Sequence, residues 1–394
     1  MSDPLLSWRK EFPILEHTTY LVSHSLGAMP RGTYDSLREY ADQWATRGVR
    51  AWAEGWWTIS TDTGDLLAPL LGADCGTIVM HPNVSTALGI LLSALDFSPA
   101  RSRIVAAEIT FPTALYACAA AERDGARLKL VPCPDGLTVD LGRLLESIDQ
   151  TTRLVLVSHV EYKSGFLHQI EPIVARAREC GAQVVLDCYQ SAGCVPIELK
   201  RWNVDFAVGG SVKWLLGGPG AGYLYARPDL WPSLSPKITG WAAHAAPFAF
   251  EAPPLRPADD VRRLQTGTPT VPALFAAREG YRIVREVGVA AIRQKNRRQT
   301  RLIVDQADRL GIRVASPRDG ERRGSMVVLD VPDGAALVEE LGQREILVDY
   351  RPDAGLRVSP HFYTSDEELT QALQTMREMI ASGARTTSGA AVRF

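Results

Sequence analysis

From about residue 77 the chain alternates short apolar runs with stretches of helical periodicity. Residues 77–80 (TIVM) read as a strand. Residues 84–95 read as a helix, with Leu88, Leu91, Leu92 and Leu95 on one side. Strand 103–107 and helix 112–123 follow, the helix with Pro112 in its first turn, where a missing N–H costs nothing. Strands are then expected at 128–131, 154–158, 184–187, 206–208 and 222–226, with a helix at 170–180. Near-continuous apolar strands separated by helices predict a mostly parallel sheet covered on both faces. Ligands of such sheets sit beyond the carboxyl ends of the strands, where Glu108, His159 and Asp187 fall. Residues 231–272 are rich in proline and poor in periodicity, and read as a loop able to line a site. One long helix is expected over 273–310. A smaller unit follows, with strands at 326–331, 347–349 and 356–358 and a helix at 366–381.

A chain of 394 residues with 46% hydrophobic content exceeds one small core. The expected division is an N-terminal segment over 1–60, packed on the smaller domain and on a dimer partner, and a large domain over 61–275. A small α+β C-terminal domain over 276–382 and a polar, disordered tail over 383–394 complete it. The net charge of −2 and the lack of a basic stripe argue against nucleic acid. The local basic run 293–301 (RQKNRRQTR) reads as the solvated face of a helix. The six cysteines form no CxxC pair, so buried reduced thiols, a cytoplasmic location and no metal are expected. The opening MSDPLLSWRKEF lacks the pattern of a signal peptide, and no stretch approaches ~18 apolar residues, so no membrane span is expected.

Candidate chemistry centres on Lys213, in the glycine-rich run GGSVKWLLGGPGAG (209–222), and on Asp187, which ends the strand-like run VVLD. An amine on a glycine-rich turn, paired with an acid at the end of a preceding strand, is what pyridoxal phosphate chemistry requires. The lysine forms the Schiff base, and the acid keeps the pyridine nitrogen protonated. An isolated lysine at a turn is usually just a surface residue; here its surroundings count. The helix opening Asn83-Val-Ser-Thr presents backbone N–H groups and the hydroxyls of Ser85 and Thr86 to an anion, or is an ordinary helix cap. Phe111, past a strand end, is either a core residue or the platform for an aromatic ring. Gln190 and Ser191 lie within reach of a ligand at Asp187. Four tryptophans, Trp44, Trp52, Trp56 and Trp57, either pack a helix or wall an aromatic pocket.

These elements together resemble the kynureninase branch of the class V aminotransferase superfamily, pyridoxal phosphate enzymes of fold type I. The resemblance runs through Ser23-His-Ser-Leu-Gly-Ala-Met-Pro30, Phe111-Pro-Thr-Ala-Leu-Tyr116, Ser158-His-Val-Glu-Tyr-Lys-Ser-Gly165 and the stretch from Asp187 to Pro196. It continues through Val212-Lys-Trp-Leu-Leu-Gly-Gly-Pro-Gly220, Thr239-Gly-Trp-Ala-Ala-His244, Thr266-Gly-Thr-Pro269, Arg323-Gly-Ser325 and Leu356-Arg-Val-Ser-Pro360. It implies an α/β fold: a large domain with a mostly parallel seven-stranded sheet between helices, and a smaller α+β domain. It also implies pyridoxal 5'-phosphate, an amino acid substrate and a homodimer with shared active sites. Ser85 and Thr86 would hold the phosphate, Phe111 would stack on the pyridine, and Asp187 would pair with its nitrogen. Gln190 and Ser211 would border the cofactor bound to Lys213, and Trp241 and Thr268 would reach the neighbouring subunit's site. Arg357 would grip the substrate carboxylate, with His24 and Ser25 near its side chain.

Three positions depart from the family pattern. Val212 stands where kynureninases have Tyr, Gln190 where they have His, and His24 where they usually have Asn. The expected reaction removes the α-proton of an L-amino acid, with Lys213 as base, and continues as hydrolytic Cβ–Cγ cleavage of an aryl-keto amino acid. A β-eliminating C–S lyase, an epimerase or aminotransferase, and a non-catalytic cofactor-binding protein are the alternatives. A cysteine desulfurase would need an exposed nucleophilic Cys in the C-terminal half, and no Cys follows Cys194. Gly218-Pro-Gly-Ala-Gly222 misses the dinucleotide-binding glycine register, which excludes a nicotinamide site there.

Overall fold

A computed structural model describes residues 3–382. The tail expected to be disordered lies outside the described residues. Thirteen strands appear among the described residues, in chain order: β1 (Thr19–Tyr20), β2 (Ile78–His81), β3 (Arg103–Ala107), β4 (Arg127–Val131), β5 (Thr152–Ser158), β6 (Gln183–Asp187), β7 (Phe206–Gly210), β8 (Gly222–Ala226), β9 (Arg313–Val314), β10 (Val327–Asp330), β11 (Ile346–Leu347), β12 (Asp349–Arg351) and β13 (Gly355–Val358). Strands β2 to β8 form one seven-stranded sheet in the order β2-β8-β7-β6-β5-β3-β4. Within it β8 runs against its neighbours β2 and β7; the other pairings are parallel.

The physical cause is visible in the burial. Strands β2, β7 and β8 are buried at every position, and β6 at all but its first, so both faces must be covered by helices. One apolar core lies on each face. One gathers Val84, Leu88, Leu91, Val185, Phe206 and Leu224. The other gathers Val105, Val157, Leu186, Trp214, Tyr223 and Phe275. A separate core around Val327, Leu329, Leu356, Val358 and Leu373 supports the four-stranded antiparallel sheet β12-β13-β10-β9. The N-terminal segment is tied to that smaller unit: β1 pairs with β11, and Arg9 meets Glu368 at 2.7 Å.

The long helix expected over 273–310 is two helices, Val271–Val287 and Val289–Arg309. Gly288, at φ 83°, stands between them, a conformation that glycine adopts without steric cost and that ends an α-helix. The basic run on the second helix is not simply solvated. Arg293, Lys295, Asn296, Gln299 and Thr300 are buried, while Arg297, Arg298 and Arg301 face outward and pair with Glu321, Asp366 and Asp305. The helix expected over 112–123 ends at Ala120 and continues as a 3-10 turn, and the segment 231–272 carries four short 3-10 helices, the first beginning at Pro228. Five cysteines are buried as expected; Cys75, in the turn before β2, is exposed instead. No helix among the described residues is long and apolar enough to cross a membrane.

Candidate active site

The carboxyl ends of β2, β5, β6 and β7 converge on one cavity of about 240 Å³. Its lining includes Asn83, Ser85, Phe111, Ser158, Asp187 and Lys213. Lys213 reaches it from the turn after β7, with aromatic rings beside its amine. Its Nζ lies 4.4 Å from the ring centroid of Tyr189 and 5.8 Å from that of Phe111. Burial disfavours the ammonium and lowers its pKa to about 7, against the attraction of Asp187, so the neutral amine is accessible near neutrality. Asp187 is raised to about 6, chiefly by desolvation, with the Tyr189 N–H and the charge of Lys213 opposing. Its Oδ1 accepts the backbone N–H of Tyr189 at 2.8 Å.

The backbone has been shaped around this lysine. Gly27 donates its N–H to the carbonyl of Val212 at 2.8 Å, and a Cβ on Gly27 would lie 2.2 Å from the carbonyl oxygen of Lys213. Gly222 lets β8 pass beneath the helix Val84–Ser93, since a Cβ there would be 2.7 Å from Asn83 Cα. Asn83 caps that helix by accepting the Thr86 N–H at 2.9 Å. The end of the helix dipole and the Ser85 side chain therefore open into the cavity.

Of the residues singled out from sequence, Ser25, Ser85, Phe111, Asp187, Gln190 and Lys213 line this cavity. The others lie elsewhere. Thr86 turns its hydroxyl to Asn83 Oδ1 and borders a smaller adjacent hollow. Ser211 is buried, donating to the Ala221 carbonyl at 2.7 Å and sharing a hydrogen bond with the Tyr281 hydroxyl. Trp241 packs on Trp57 and Phe248 and is 41% exposed, while Thr268 borders a groove beside Trp44, Trp52 and Trp56. Gln190 bridges two elements, accepting from Trp214 Nε1 at 3.0 Å and donating to the His24 carbonyl at 3.1 Å. His24 does not face the cavity. Its Nε2 meets Asp349 Oδ1 at 2.8 Å and its Nδ1 meets Ser359 Oγ at 2.6 Å. Desolvation lowers its pKa to about 4. Arg357 is buried beside the cavity, giving Nη1 to the carbonyl of Tyr162, a lining residue, at 3.0 Å.

Sequence reasoning passed over Ser158, Tyr162 and Tyr189 as lining residues, and Asp349 as the partner of Arg357. A signal for Asp349 existed. Pro352-Asp-Ala-Gly355 is a turn between two short apolar-rich runs, and the hairpin it closes sets Asp349 directly opposite Arg357.

These residues fit pyridoxal phosphate. The cavity joins a half-buried lysine amine, a buried carboxylate, an aromatic ring and a helix N-terminus able to hold an anion. The lining carboxylate of Asp187 calls for an N–H or cationic partner of the kind a protonated pyridine nitrogen offers.

The comparisons with known proteins agree. The family model for class-V aminotransferases matches residues 19–381, so the chain belongs to the class V aminotransferase family, whose cofactor is pyridoxal 5'-phosphate. Within it the chain falls on the kynureninase-like branch. It is 31% identical to the Kynureninase of Pseudomonas fluorescens, over 96% of this chain and 93% of the relative. It is 29% identical, with the same coverage, to the Kynureninase of Burkholderia pseudomallei strain 1106a. The fold is that of an apo cysteine desulfurase from Thermococcus onnurineus, with TM-score 0.86 and 22% identity over 97% and 99% of the two chains. It is also that of a C-DES mutant with glycine covalently linked to its pyridoxal phosphate, with TM-score 0.85 and 21% identity over 94% and 99%.

Proposed function

We propose that this pyridoxal phosphate enzyme cleaves an aryl-keto L-amino acid of the kynurenine type hydrolytically at Cβ–Cγ. Supporting this reading is one conjunction: Lys213 and Asp187 line a single cavity in a chain related to kynureninases along nearly its whole length. The bound cofactor supplies a sink for the electron pair left at Cα. The chain's residues do the rest. Arg357 takes the α-carboxylate, and Asp187 holds the proton at the pyridine nitrogen. Phe111 flanks the ring, and the Lys213 amine, once free, takes the proton from Cα. Water then adds to the side-chain carbonyl carbon Cγ. The Cβ–Cγ bond breaks, Cγ leaves in an aryl carboxylic acid, Cβ gains a proton, and the proton taken by Lys213 returns to Cα to complete alanine.

The chain acts as a homodimer in this reading. Trp241, Phe248 and Phe250 are 41%, 59% and 74% exposed in one cluster, an apolar surface that a second copy would cover while bringing Trp241 and Thr268 toward its neighbour's cofactor.

A second reading, β-elimination with C–S cleavage, is favoured by Val212. This apolar residue lines the cavity where kynureninases carry a tyrosine, and elimination needs fewer acid–base groups after Cα deprotonation. The experiment is to incubate the pure holoenzyme with kynurenine, 3-hydroxykynurenine and a panel of sulfur amino acids and to analyse the products by mass spectrometry. An anthranilate-type acid with alanine supports the first reading. Pyruvate with a thiol or sulfide overturns it in favour of the second.

A further inference from the structure

Arg357 is a buried cation with a carboxylate and, beyond it, an imidazole behind it. Asp349, directly opposite on β12, receives Arg357 Nε on Oδ1 at 2.8 Å and Nη2 on Oδ2 at 2.5 Å. Asp349 Oδ1 is in turn shared with His24 Nε2 at 2.8 Å, and the other ring nitrogen of His24 meets Ser359 Oγ at 2.6 Å. Ser359 Oγ also lies 3.0 Å from the Leu21 carbonyl oxygen, and the Gln190 amide donates to the carbonyl of His24. The chain of contacts thus runs from the backbone of the N-terminal segment, through an imidazole and a carboxylate, to the guanidinium. His24, Asp349, Arg357 and Ser359 are all buried, at 1%, 6%, 3% and 0% exposure.

A guanidinium carries five N–H donors in a fixed planar fork. Asp349 occupies the side edge formed by Nε and Nη2, and the Tyr162 carbonyl takes one donor of Nη1. The N–H groups left over, one on each Nη, are those that a substrate carboxylate would meet. We infer that His24 and Asp349 are positioning residues: together they hold Arg357 so that it offers its end to the α-carboxylate of the amino acid. The inference rests on the proposed role of Arg357, and it assigns a purpose to a residue that departs from the relatives. An imidazole reaches two partners on opposite sides of its ring, as the short Asn usual in kynureninases does not. Asp349 also keeps Arg357 from being a bare buried charge, a state that is expensive without an anion beside it.

The test uses the holoenzyme and reads ligand affinity from the change in cofactor absorption when an amine or amino acid displaces Lys213. The probes are L-kynurenine against kynuramine and L-phenylalanine against phenethylamine, pairs that differ only in the α-carboxylate. In the unaltered enzyme the acid binds more tightly than its amine by at least about tenfold. In His24→Ala and Asp349→Asn that preference falls about fivefold or more, through loss of affinity for the acids, with the amines binding as before. His24→Gln, whose amide still reaches toward Asp349, restores most of it. If Asp349→Asn does not fold, the comparison of His24→Ala with His24→Gln decides. A preference unchanged in these variants, or an equal loss for acid and amine, overturns the inference. If Arg357→Ala also keeps the preference, the carboxylate role of Arg357 itself fails. If it abolishes the preference while the His24 and Asp349 variants keep it, only the brace fails. Kynurenine that binds with this preference but is never cleaved would refute the proposed reaction and leave the brace standing.

Discussion

Lys213 holds its amine 4.4 Å from the ring centroid of Tyr189, inside a cavity where Asp187 is the carboxylate that tempers its loss of charge. The protein has placed a cation where burial works against it. An amine kept near its neutral form is ready to bond a carbonyl carbon and later to take a proton.

Lys213→Ala is therefore expected to fold, to bind cofactor without the covalent link, and to lose turnover entirely. Visible absorption and borohydride reduction check it. An imine band that survives in the variant contradicts the assignment.

Replacing Arg357 by Ala should raise KM with a loss of roughly 2–4 kcal/mol in kcat/KM, as expected when one member of a buried charge pair is removed. Arg357→Lys should recover little, because a point charge cannot share a side edge with Asp349 and an end with substrate. Steady-state kinetics on the best amino acid found will measure both.

Ser211 gives a contrasting outcome. Its hydroxyl is held by the Ala221 carbonyl and the Tyr281 hydroxyl, both away from the cavity lining. Ser211→Ala leaves the buried Tyr281 hydroxyl without this partner and should cost about 1–3 kcal/mol of stability. Cofactor affinity should hold. Urea unfolding and cofactor titration separate the two; a selective loss of cofactor binding would return Ser211 to the site.

Acid should weaken the fold in a defined window. His24, His81 and His361 are lowered to about 4 and His159 to about 3, in each case first by desolvation. Each stays neutral in the native state while the unfolded chain takes a proton below about 6.5, so stability present above pH 6.5 is lost as pH falls toward 4. Each fully contributing histidine costs about 1.4 kcal/mol per pH unit in that window. Asp187, raised to about 6, acts oppositely by taking up a native-state proton between pH 6 and 4. Urea midpoints between pH 7.5 and 4.5 should fall, and His81→Asn should flatten the slope by close to one proton. A flat profile would contradict buried neutral imidazoles.

Gly222→Ala should displace the cap of the helix Val84–Ser93, because the new Cβ would press on Asn83. Weaker cofactor binding is the expected outcome, with inorganic phosphate losing affinity in parallel. Isothermal titration of both ligands checks it.

Much of the architecture was legible in local pattern. Strand β6 ends on Asp187, and β7 leads into the turn carrying Lys213, because period, apolar runs and glycine turns are written in consecutive residues. The break at Gly288 was passed over because apolar periodicity continues on both sides of it, and only a left-handed φ interrupts the hydrogen bonding. His24 was expected to face substrate, yet it turns to Asp349. That choice depends on a contact across 325 residues, which no local window contains.

By itself, then, the order of residues determined the class of fold and the amine–acid pair, since both follow from short-range periodicity and from the chemistry of side chains at strand ends. Only the tertiary structure decided which residues share the cavity, that Ser211 and Thr86 bond away from it, and that Arg357 is held from behind by Asp349. Those outcomes depend on which distant donors and acceptors meet once burial removes water as their alternative partner.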